Sequence, residues 1–326
     1  MSRTGTAVGG PGGPAGAVGV AASAPRGGGS RGGGPGVPFD RGAIERYVLG
    51  RRTPDGGYCF YRVPEWGVEE PNAPDTLAAL ETLRLLGIPA PEPETTVRFL
   101  RSLQGGDGGY PTLTIGWAAL RALDVLAAEP ARPPATWLRG LQSMLLARGR
   151  AWGGARAWRG ALRDALRLVE ALALTSPGPG IDGRGRAQCA ELLAAARDPS
   201  GGWARPDADL ETTGVAGRLV VACGLDPTAL DGGAGLLSRC EDPVLGLRLA
   251  PGGRATSVGA LWGGLVVAGA AGVRLRFPAA VWGSLVQLQR PDGGLGPRHR
   301  AISTLADTWR GMEAADLFDQ MEEGAP

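Results

Sequence analysis

Lysine is absent from this chain: all 34 basic residues are arginine, set against 32 acidic residues, and His299 is the single histidine. With a formal net charge of +2 over 326 residues, nothing in the charge balance favours nucleic acid as a partner. Because arginine is the only cation in use, as in the composition of a GC-rich genome, one arginine by itself says little about function. Cysteine is scarce too. Cys59, Cys189, Cys223 and Cys240 lie far apart with no Cys-x-x-Cys spacing, which argues against a zinc knuckle or a disulfide framework. Reduced, buried thiols in a cytoplasmic protein are the expectation. Long apolar runs are missing as well: "ALWGGLVVAGAAGV" (260–273) falls short of the ~18 residues of a membrane span and is flanked by arginines. Residues 1–38 are Gly, Ala and Pro with almost no large apolar side chain, so they cannot offset the entropy of ordering and are expected to be a disordered tail.

Glycine, by contrast, is plentiful and patterned. "RRTPDGGY" (51–58), "LQGGDGGY" (103–110), "RDPSGGW" (197–203) and "QRPDGGLG" (289–296) are variants of one turn. With Gly153-Gly154 and the stretch around Leu245-Gly246 they recur about every 45 to 52 residues, a period that signals a repeat architecture. An amphipathic stretch precedes the turns, as in "ETTVRFLRSLQ" (94–104), and a more apolar one follows, as in "DTLAALETLRLLG" (75–87) and "LTIGWAALRALDVLA" (113–127). Leu80, Leu83 and Leu86, or Leu120, Leu123 and Leu126, have helical spacing. The pattern therefore predicts an all-α domain over residues 39–322: six hairpins, each an outer helix, a Gly-Gly turn at positive φ and an inner helix apolar on nearly all sides. Six such pairs suit a closed double ring, which needs no polar terminal caps, better than an open solenoid.

The unit Gln-x-x-Asp-Gly-Gly-aromatic followed by Asp-Thr-x-x-Ala-Leu-x-x-Leu resembles the repeat shared by protein prenyltransferase β subunits and squalene- and oxidosqualene-type cyclases. That resemblance implies an α/α toroid over about residues 40–320. It also implies isoprenoid chemistry, with a prenyl diphosphate as ligand and a helical partner subunit or peptide acceptor as possible company. A single ring is the size of a prenyltransferase β subunit, so transfer of a prenyl group is the first reading.

Within such a ring all inner helices start at one end, and their N-termini make that end suitable for a diphosphate. The loops feeding it carry Arg62, Arg156, Arg205, Arg254, Arg298, His299 and Arg300. Guanidinium groups suit bidentate phosphate contacts, and solvated loop charge is the plainer alternative. Asp75, Asp209, Glu211 and Asp307 fall at the inner-helix starts, where helix capping explains acids equally well. The resemblance puts the zinc-ligand slots of prenyltransferases on Asp209, Glu211 and Asp307, with Glu in the Cys slot and Asp in the His slot. Three carboxylates suit Mg²⁺ or no metal rather than a zinc ion that activates a thiolate. The same run, Asp209-Leu210-Glu211-Thr212-Thr213, also resembles the acid motif of class II terpenoid cyclases, with Glu211 as acid and Asp209 its partner. Trp117, Trp158, Trp262 and Trp309, on inner helices, are expected to line the cavity and offer ring faces to a cation. Tyr58, Tyr110 and Trp203, directly after Gly-Gly, are expected to wedge the turns. A ring that only binds a lipid or a protein is the third reading.

Overall fold

A computed structural model describes residues 38–63, 65, 67–147, 154–175 and 180–323. The tail expected over residues 1–38 lies, except for Pro38, outside the described residues, as does Gly153 of the third turn.

Five of the six inner helices start where a short polar side chain accepts a free backbone N–H. Asn72, Thr112, Asp209 and Ser257 cap α2 (Ala73–Leu86), α4 (Leu113–Val125), α8 (Leu210–Ala222) and α10 (Val258–Ala271), and Thr304 caps α12 (Leu305–Glu323) by accepting from Asp307 N at 2.9 Å. The remaining inner helix, α6 (Ala155–Thr175), is the longest. Between them run the outer helices: α1 (Arg41–Leu49), α3 (Pro93–Ser102), α5 (Ala135–Ala147), α7 (Gly183–Ala196), α9 (Asp231–Cys240) and α11 (Pro278–Val286). Two short hairpins, β1 (Arg62–Val63) with β2 (Val68–Glu69) and β3 (Glu241–Asp242) with β4 (Gly246–Leu247), are extra to the all-helical expectation.

The inner helices pack in the order α2, α4, α6, α8, α10 and α12, and α12 returns to pack on α2. The ring is closed. Its wall is an apolar layer between inner and outer helices, with Leu77, Leu80, Leu123, Leu162, Leu168 and Leu210 fully buried. The four cysteines are buried and free.

The reused turn has a definite task. In four copies a backbone N–H closes onto the carbonyl of the second glycine: Thr53 on Gly57, Gly105 on Gly109, Asp198 on Gly202 and Arg290 on Gly294, at 2.8–2.9 Å. The first glycine of each pair has φ between 84° and 97°. A Cβ on Gly56, Gly108 or Gly201 would lie 2.5–2.7 Å from backbone atoms of Thr95, Pro133 or Gly232, which begin the outer helix of the next hairpin. The close approach falls between successive hairpins, because the bare backbone of one turn seats the next outer helix. Gly293 does the same against Ala43 of α1 and so joins the last hairpin to the first. Asp40 N donates to Gln289 Oε1 (2.9 Å) and Gln289 Nε2 donates to Asp40 O (3.0 Å) at that junction.

A second device ties turn to inner helix. Thr76, Thr213 and Thr308 each accept the backbone N–H that follows the glycine pair, from Tyr58, Trp203 and Leu295 at 2.9–3.2 Å. Each hydroxyl donates to its helix's cap carbonyl at 2.6–2.7 Å. Tyr58, Tyr110 and Trp203 are buried as turn wedges, and burial pushes the Tyr58 and Tyr110 phenols up to about 12.

Candidate functional site

The four acids singled out from the sequence do not share one environment. Asp75 accepts from Phe60 N (2.8 Å) and Asn72 Nδ2 (2.9 Å), so it braces the first turn of α2. Asp209 caps α8 through Thr212 N (2.7 Å) and takes Arg159 Nε at 2.7 Å. Glu211, one residue into α8, accepts from Arg163 Nη2 of α6 (2.9 Å) and from Arg310 Nη1 of α12 (2.8 Å). Asp307 is hydrogen-bonded by Thr304 Oγ1 at 2.7 Å. Burial pushes its carboxyl pKa up and the nearby Glu211 carboxylate adds to this, while the Thr304 hydrogen bond and Arg310 oppose it. Glu211 thus links α8 to α6 and α12, with Asp307 near enough to feel its charge, while Asp209 is held by Arg159 and Asp75 is occupied elsewhere.

The ring interior is charged, which corrects the expectation of inner helices apolar on nearly all sides. Arg159, Arg163 and Arg167 follow one another at four-residue spacing along α6, the first two meeting the start of α8 and the third meeting α4. Arg167 donates to Thr114 Oγ1 (3.0 Å) and pairs with Asp164 (3.2 Å). Burial lowers its pKa, and Arg163 and Arg310 act in the same direction against Asp164. The guanidinium groups of Arg163, Arg167 and Arg310 therefore stand close together near the mouth, paired with Glu211 and Asp164 and with the Asp307 carboxyl in the field of Arg310. This cluster of charge inside the ring was missed in the sequence. Its signal was the four-residue arginine spacing in an otherwise core-forming helix.

Deeper in, the tryptophans are on the ring wall but their faces are already covered. Arg121 lies over Trp117 (5.9 Å) and Trp309 (5.6 Å), Arg167 over Trp117 (5.5 Å), and Arg218 and Arg310 over Trp262 (5.2 and 5.1 Å). Their indole N–H groups are used as well: Trp117 donates to Glu170 (2.6 Å) and Trp262 to Glu313 (2.7 Å). Trp158 is buried in the hydrophobic core. Burial works against the charge of Arg121, yet Glu170, Glu81 and Glu313 outweigh it and its pKa is raised.

The loop cations proposed from the sequence stay outside. Arg62 pairs with Glu69 across the β1–β2 hairpin at 2.7 Å. Arg156, Arg205, Arg254, Arg298, His299 and Arg300 are exposed at the same end of the ring. The acids do not fit a metal centre either. No group of three His, Cys, Asp or Glu side chains is placed to hold a cation among the described residues, because Arg159, Arg163 and Arg310 already take the carboxylate oxygens of Asp209 and Glu211. Among the described residues no helix is long and apolar enough to cross a membrane.

No family model matches the sequence. Drimenyl diphosphate synthase from Streptantibioticus cattleyicolor is 29% identical over 221 residues, covering 62% of this chain. The chain spans 40% of the length of that relative. A chain of Candida albicans protein geranylgeranyltransferase-I, solved in complex with GGPP, superposes with a TM-score of 0.64 at 12% identity. That match covers 86% of this chain and 92% of the other, and at such identity it speaks for the fold alone. The chain has the α/α-toroid fold that it shares with that geranylgeranyltransferase chain.

Proposed function

We propose that this ring binds an isoprenoid diphosphate at the end where its inner helices start and transfers the prenyl group to an acceptor. The observation that carries the reading is the cluster of Arg163, Arg167 and Arg310, three guanidiniums held by two carboxylates. A diphosphate would take the donors now directed at Glu211 and Asp164, and charge-assisted bonds from forked guanidiniums suit it. Breaking the carbon–oxygen bond moves the electron pair onto the diphosphate, where those arginines stabilise it. The electron-poor prenyl carbon then bonds to the acceptor, and Asp307 is the group placed to receive the acceptor's proton. The exposed loop arginines attract the anion from a distance, in a manner that weakens with salt. A helical partner subunit and a cytoplasmic setting belong to the same reading.

A second reading, protonation-initiated cyclisation, is favoured by the Asp209-to-Thr213 motif and by a relative whose named product is still a diphosphate. Here Asp307 replaces Glu211 as the acid, since Glu211 serves as counter-ion to two guanidiniums whereas the Asp307 pKa is raised. Farnesyl and geranylgeranyl diphosphate, incubated with the purified chain and a pool of thiol and hydroxyl acceptors, separate the readings. Release of inorganic diphosphate with a prenylated acceptor is expected. A cyclic product that keeps its diphosphate would put the second reading first, and neither outcome would leave a ring that binds without reacting.

A further inference from the structure

The inner helices place comparable residues at matching depths. Four positions after the helix start stand Trp117 on α4, Trp262 on α10 and Trp309 on α12. Eight positions after it stand Glu81 on α2, Arg121 on α4, Arg218 on α8 and Glu313 on α12. At the α-helical rise, eight residues correspond to about 12 Å of depth from the mouth.

These deeper charges reach across the ring to one another. Arg121 Nη2 donates to Glu81 Oε1 at 2.6 Å and its Nη1 lies 3.5 Å from Glu170 of α6. Its guanidinium also covers Trp309, on a helix that is not its neighbour in the ring. Beside this hub, Glu313 takes Arg218 of α8 and the indole N–H of Trp262 of α10. All six inner helices thus contribute to one network, and the side chain of Glu81 is only 3% exposed. In the deeper tier Arg121 is met by Glu81 and Glu170, with Glu313 adding to the same field.

We propose that this network, with Arg121 at its hub, is a septum across the ring that sets the length of isoprenoid the protein accepts. The inference rests on the reading that the diphosphate sits at the mouth with its tail inward. A hydrocarbon passing the septum would have to separate buried ion pairs without offering a polar group in return, which is strongly unfavourable. An isoprene unit adds four chain carbons, about 5 Å at ordinary carbon–carbon bond lengths, so ~12 Å of depth holds two to three units. A geranyl chain fits, a farnesyl chain is buried for most of its length, and a geranylgeranyl chain overshoots the depth by more than one unit.

Equilibrium binding of geranyl, farnesyl and geranylgeranyl diphosphate, followed by quenching of tryptophan fluorescence, tests this on the wild-type chain. Farnesyl diphosphate should bind at least about tenfold more tightly than the geranylgeranyl compound, since a unit that cannot be buried forfeits its apolar transfer energy. Equal affinity for the two overturns the septum while leaving the binding reading intact. No binding at any length overturns both. The triple variant Arg121→Met, Glu81→Gln, Glu170→Gln removes Arg121 together with the two carboxylates that meet it, and of their partners only the half-exposed Arg84 loses an ion pair. If it folds, as judged by circular dichroism, it should bring the two affinities to within about threefold, and an unchanged ratio would count against the septum.

Discussion

The turn layer and the ring interior are built on opposite rules. In the turn layer the same residues return in hairpin after hairpin: a positive-φ glycine seated on the next outer helix, and a threonine holding the following backbone N–H. Inside the ring the residues at matching depth differ, with Glu81, Arg121, Arg218 and Glu313 completing one another across the opening. The difference is instructive. A part repeated around a ring performs the same mechanical task in every copy and carries no information about a unique ligand. A network that spans the opening needs opposite charges on different helices and must break the repeat.

Exceptions within the turn layer sharpen that comparison, and the largest effect belongs to the glycines. A Cβ on Gly293 meets the backbone of Ala43 at the junction that closes the ring, whereas one on Gly154, at φ 80°, meets nothing within 4 Å. Gly154→Ala should cost about 1–2 kcal/mol, the penalty of left-handed backbone alone. Gly293→Ala should cost about 2–5 kcal/mol, because displacement of packed backbone is added to that strain. Urea denaturation of the two variants checks this, and equal losses would show that the turn is not a dock.

Next comes the threonine lock. Thr308→Val keeps the shape but leaves Leu295 N without its acceptor, and Leu295 is fully buried. A loss of about 1–3 kcal/mol is expected in the same denaturation assay. Thr308→Ser, which keeps the hydroxyl, should recover most of it.

The smallest effect lies inside the ring. The native-state pKa of Asp307 is raised, so the folded chain binds its proton more readily than the unfolded chain does. Its contribution is most favourable below the unfolded carboxyl pKa and is lost as pH rises through the folded value. Asp307→Asn should therefore remove that downward slope. Compared with wild type, the variant gains stability as pH rises through the mildly acidic range, as midpoints of thermal unfolding across that range would show. A parallel pair of pH profiles would mean that Asp307 is not buried enough to matter.

The ring itself was legible in the sequence because its evidence is local and repeated. Leu80, Leu83 and Leu86 share one helix face, and each Gly-Gly pair marks a reversal that other residues resist. The wedges Tyr58, Tyr110 and Trp203 could be placed for the same reason. The site was only half legible. Asp209, Glu211 and Asp307 stand out in the sequence through their position at helix starts, yet Asp75, at the same position, braces a turn. The arginines of the ring interior were passed over for those in loops. In a chain without lysine every arginine looks alike, and the partners of Arg121, Arg163, Arg218 and Arg310 lie 40 to 99 residues away.

By itself, then, the sequence determined helices, reversals and a period, since these follow from backbone freedom and side-chain spacing within a few neighbouring residues. Which charges face one another was decided only when α12 came back against α2. An ion pair across a ring depends on how far each helix is rotated and how deep each residue sits, and those quantities exist only once the circle has closed.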